Sequence, residues 1–67
     1  MNEVPSPEFF RVFGEVVSKL KLMRPPYMTP GKVYHKYDYI SVIHQAVRDY
    51  PKHREYLVEK LKQLRIS

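Results

Sequence analysis

Proline placement restricts this chain more than any other feature. Pro7, Pro25, Pro26, Pro30 and Pro51 cannot donate a backbone N–H and disfavour helix in the residue before them. Each must therefore open a helix, end one or sit in a turn. Between these breaks the chain offers three amphipathic segments.

Residues 6 to about 23 open with a strong start signal. Ser6 can cap, Pro7 stands where a missing N–H costs nothing, and Glu8 suits the positive end of the helix dipole. Phe9, Phe13, Val16, Val17 and Leu20 recur on one helical face, with Arg11, Glu15, Ser18 and Lys19 opposite. Arg24-Pro25-Pro26 must end this helix. Residues 39–50, "YISVIHQAVRDY", predict a second helix with Ile40, Ile43, Ala46, Val47 and Tyr50 inward and Asp38 as its cap. Pro51 closes it and opens a third over 51–65, whose apolar stripe is Leu57, Leu61 and Leu64. Thr29-Pro30-Gly31-Lys32 fits a type II turn, but Thr29-Pro30 also repeats the Ser6-Pro7 start, and we favour a short helix over 30–37. The expected fold is all-α, a single domain of three to four helices, with residues 1–5 a flexible lead-in.

A chain of 67 residues buries only about 60% of its unfolded surface, so its core is thin. Without cysteine it has no disulfide, thiolate zinc site or nucleophilic thiol, which agrees with a reducing compartment. No apolar run approaches the ~20 residues of a membrane span, and the N-terminus shows no secretory pattern. A soluble, intracellular and cytoplasmic protein with no membrane contact is expected.

Charge is distributed unevenly. Residues 1–18 carry Arg11 against Glu3, Glu8 and Glu15, and residues 37–67 carry six basic against four acidic side chains. Residues 19–36 carry Lys19, Lys21, Arg24, Lys32 and Lys36 and no acid at all, so the net charge of +5 is concentrated there. Such a segment attracts polyanions. The five cations are expected to contact phosphates, with Tyr27 and Tyr34, interleaved among them, stacking on bases. A 30–37 helix followed by 39–50 would form a helix-turn-helix-like pair, in which Gln45 and Arg48, with Ser41 and His44, would face the major groove. Arg can pair with guanine and Gln with adenine.

Other chemistries find little support. His35, His44 and His53 are spaced nine apart, which suits neither a helical zinc pair nor a finger. The serines lie in no nucleophile elbow, and Gly14 and Gly31 cannot build a phosphate loop. We expect a non-enzymatic nucleic-acid-binding protein without metal, cofactor or small-molecule substrate, binding DNA in preference to RNA. The alternative is an accessory subunit, or a homodimer, that docks through an apolar patch formed by Val12, Leu22, Met23, Val42 and the loop "PPYM".

Overall fold

The computed structural model describes residues 5–66, in which three α-helices are the only long regular elements. Apart from Pro5, the lead-in expected over 1–5 lies outside the described residues.

Helix α1, Pro7–Leu20, starts as its sequence dictates. The Ser6 hydroxyl accepts the Phe9 N–H at 3.1 Å and Pro7 occupies the first turn. Its end comes earlier than the expected residue 23. Lys21 adopts the left-handed conformation, φ 58° and ψ 49°, and donates its N–H to the Val17 carbonyl at 2.7 Å. That conformation costs a side-chain-bearing residue roughly 1–2 kcal/mol. The reversal turns Leu22 inward to complete burial, which contributes about 1.5–3 kcal/mol and offsets the strain.

Helix α2, Lys36–Asp49, begins before the expected residue 39, with His35 rather than Asp38 at the cap position. Asp38 still serves the start by reaching back: its carboxylate accepts the His35 N–H at 3.0 Å. After Tyr50, a 3₁₀ turn over Pro51–His53 leads into α3, Arg54–Ile66. Pro51 is thus the joint between the two helices, as its position requires.

The start of α1 meets the start of α2, where the Tyr39 ring lies 5.9 Å from Phe9 and 4.9 Å from Phe13. At the other end, Arg24 beyond α1 reaches the Tyr50 hydroxyl at the end of α2. The two helices therefore run parallel. Helix α3 runs against both, pairing Lys60 with Glu15 and setting Tyr56 beside Lys19. Parallel neighbours cannot be joined by a tight turn, so residues 21–35 must return along the length of the pair as a strap.

The course of the strap corrects three expectations. The short helix over 30–37 is absent: Lys32 donates its N–H to the Thr29 carbonyl across a turn in which Gly31 has φ 85°, and residues 32–35 are not helical. Glycine supplies the positive φ that a type II turn needs at its third position. The helix-turn-helix-like pair built on that helix goes with it. The proposed apolar docking patch also disappears, because Val12, Leu22, Met28 and Val42 are all buried. Val42 belongs to the common core cluster, against which Tyr27 of the strap also packs. Met23, 49% exposed, and the two prolines stay outside.

Candidate nucleic-acid interface

Two kinds of contact pin the strap. Leu22 and Met28 enter the core, and two tyrosines fasten the chain by their hydroxyls. The Tyr27 hydroxyl donates to the Asp49 carboxylate at 2.6 Å, and the Tyr34 hydroxyl accepts the Thr29 N–H at 2.8 Å. The Asp49 bond, followed by partial burial, raises the Tyr27 phenol well above its ordinary pKa. Both rings are half-buried.

Two strap cations and the first residue of α2 rest on aromatic rings. Arg24 lies 5.5 Å from the Tyr27 ring centre, Lys32 lies 5.4 Å from Tyr34, and Lys36 lies 5.8 Å from Phe9. Lys21 is exposed at the helix end. Lys19 is drawn aside toward α3, where it shares the Tyr56 ring with Lys60 at 5.1 and 5.5 Å. Of the five expected phosphate ligands, Lys21, Arg24 and Lys32 lie on the strap, Lys36 stands next to its end in the first turn of α2, and Lys19 turns away. Gln45 lies one turn before Asp49, beside the strap and half-buried, while Arg48 is exposed further round α2.

The carboxylates that carry contacts bond to groups other than the strap cations. Among the described residues the ion pairs are confined to one network, in which Arg11 joins Glu8 and Glu15 and Lys60 joins Glu15. Glu8 is held below the usual carboxylate range by its bond to Arg11, Glu15 by its bond to Lys60, and the Arg11 guanidinium is raised in turn by Glu8. Asp38 caps α2 and Asp49 holds Tyr27. No carboxylate neutralises Lys19, Lys21, Arg24, Lys32 or Lys36 among the described residues.

The rings of Tyr27 and Tyr34, expected to stack on bases, have protein neighbours. Arg24 and Lys32 already lie over the Tyr27 and Tyr34 rings, Tyr50 lies 6.3 Å from Tyr27, and Tyr39 lies 5.8 Å from Tyr34. They anchor the strap, and a base would have to displace these neighbours. The alternation of basic and aromatic residues fits both roles, so only the packing separates them.

The histidines stand apart: His35 begins α2, His44 faces Arg65, and His53 lies beside the Tyr50 ring. Among the described residues no group of three or more His, Asp or Glu is placed to hold a metal ion, and no helix is long and apolar enough to cross a membrane.

One surface feature escaped the sequence. A surface groove of about 350 Å³ separates α2 from α3, with Val47, Val58 and Leu61 among its lining and Arg54, Lys62 and Arg65 at its edge. The signal was present in part, since Arg54, Val58, Leu61, Lys62 and Arg65 recur at i, i+4, i+7, i+8 and i+11 on α3. The α2 wall comes only from tertiary packing. No family model, curated protein or solved structure matches the chain.

Proposed function

We propose that this is a non-enzymatic protein that binds the phosphate backbone of nucleic acid, duplex DNA before RNA, along its strap. The observation that supports this most is the set of cations along the strap and at its junction with α2: Arg24, Lys32 and Lys36 are ordered by aromatic rings, Lys21 is exposed, and none of the four is paired with a carboxylate among the described residues. A ring orders a cation without cancelling its formal charge. Phosphate can approach the open side without first breaking an ion pair, whereas a carboxylate partner would compete for the same site.

Spacing agrees with this reading. Lys36 sits by Phe9 and Lys21 follows the end of α1, so about 18 Å of helix axis separates the ends of the strap. That length spans about five phosphates of one strand. With the tyrosine faces occupied, contact falls to the backbone, which favours a regular duplex over unpaired bases. Gln45, one turn before the strap-holding Asp49, would supply any base contact, with the exposed Arg48 further round α2 reaching the same duplex only from its side.

Fluorescence anisotropy with duplex and single-stranded oligonucleotides at two or more salt concentrations tests the proposal. Four phosphate contacts predict a duplex slope of log affinity against log salt near about −3.6. Replacing Lys21, Arg24, Lys32 and Lys36 by Gln should remove most of that slope. Undetectable binding at ~50 mM salt refutes the proposal.

A further inference from the structure

We propose that the α2–α3 groove is a docking site for an acidic amphipathic helix of a partner protein, separate from the strap. Its floor and edges differ in chemistry. Val47 and Val58 are half-exposed above the buried Leu61, so apolar surface remains to be covered. The α3 edge carries Arg54, Lys62 and Arg65, all exposed, while the α2 edge carries His44 with Arg48 one turn beyond it. No carboxylate lines the groove, and Glu55 and Glu59 lie further round α3.

Dimensions and charge choose the occupant. From Arg54 to Arg65 the groove follows about 16 Å of helix axis, or three turns, the length over which a docked helix presents an apolar stripe. Ile66, 87% exposed, follows Lys62 by one turn, just beyond the groove lining. A second copy of the chain is disfavoured, because a two-fold contact would set the same basic edges against one another. Nucleic acid would satisfy the edges but gain nothing from the valines. A small amphiphile in so open a groove would leave one side in water. An apolar stripe flanked by Glu or Asp satisfies floor and edges together.

The test uses the full chain, isotope-labelled for amide NMR, and a synthetic helical peptide of about three turns with leucines on one face and glutamates flanking them. Saturable shifts are expected at His44, Val47, Val58, Leu61 and Arg65, with none from a lysine-flanked or a scrambled peptide. Lys62→Glu with Arg65→Glu, both at exposed positions, should weaken binding about fivefold or more while leaving duplex binding and the melting temperature near wild type. Raising salt should weaken the peptide complex without abolishing it, because the apolar floor is not screened. Absence of saturable shifts at ~1 mM peptide overturns the proposal. Equal shifts from the scrambled peptide, or shifts confined to the strap, do the same. If octanoate gives the groove shifts and the peptide does not, the site takes a small amphiphile and the proposal fails. If the double variant loses duplex and peptide binding in equal measure, the groove belongs to the nucleic-acid surface, and the proposal fails while the strap reading survives.

Discussion

Replacing Lys21 by glycine should stabilise the protein, against the usual effect of glycine beside a helix interior. At φ 58° and ψ 49°, Lys21 bears a left-handed strain of roughly 1–2 kcal/mol that glycine does not feel. Glycine's greater freedom in the unfolded chain returns about 0.5–1 kcal/mol of that gain. A net stabilisation of about 0.75 kcal/mol remains at mid-range, with bounds of about 0 and 1.5, which raises the melting temperature by about 3–6 °C in a domain of this size. The matching control is Lys19→Gly, two residues earlier and inside α1. There glycine should cost about 0.5–1 kcal/mol in helix propensity, together with the contact of Lys19 on Tyr56. Thermal melts followed by circular dichroism, with urea titration as a second measure, give both signs directly. The same Lys21→Gly protein should lose one phosphate contact, lowering the salt slope of duplex binding by about 0.9 while its stability rises. If Lys21→Gly lowers the melting temperature as much as Lys19→Gly, the helix continues through residue 21 and the reversal that buries Leu22 is wrong.

Two further outcomes follow from the hydrogen-bonded groups. Tyr27→Phe should cost about 1 kcal/mol at neutral pH through loss of the bond to Asp49, and should speed amide exchange over residues 24–28. Because the folded state keeps the Tyr27 proton above the pH near 10 where the unfolded chain releases it, the contribution of this phenol is complete below about pH 10 and falls progressively as pH rises from there toward the higher folded value. Urea midpoints from pH 7 to 11 should therefore fall less steeply in the variant. Glu15 is lowered by Lys60, so its stabilisation is complete above the ordinary carboxylate pKa of about 4.3 and disappears as pH falls through the lower folded value. Glu15→Gln should flatten the acid side of a melting-temperature profile and converge with wild type at about pH 2; a constant offset at every pH would contradict the assignment.

The helical class and the positions of the breaks were legible because proline and capping chemistry act locally. Ser6-Pro7 starts α1 and Pro51 joins α2 to α3 in the places their chemistry requires. The end of α1 was hidden, since Leu20, Leu22 and Met23 read as a continuing helix and only burial of Leu22 makes a left-handed lysine favourable. The start of α2 was hidden for a related reason: His35 is not a preferred cap, and the reciprocal bond from Asp38 compensates. Of the site, the basic segment was visible as composition. That Lys19 turns to Tyr56 of α3, and that Tyr27 is held by Asp49 and Tyr50, depends on contacts between residues far apart in the chain, whereas the Arg24–Tyr27 and Lys32–Tyr34 contacts are local and fit either role of the tyrosines.

The parallel course of α1 and α2 leaves residues 21–35 as their sole covalent link, and the far stretch of that link is solvent-facing, with Pro30, Gly31 and Lys32 exposed and Val33 88% so. A protease that nicks the chain there cuts outside the apolar interior. It would leave one fragment holding α1 with the Leu22 and Met28 pins, and another holding the α2–α3 hairpin. Each keeps a greasy flank that the other alone is shaped to cover, so the halves should stay together under native conditions and separate in denaturant.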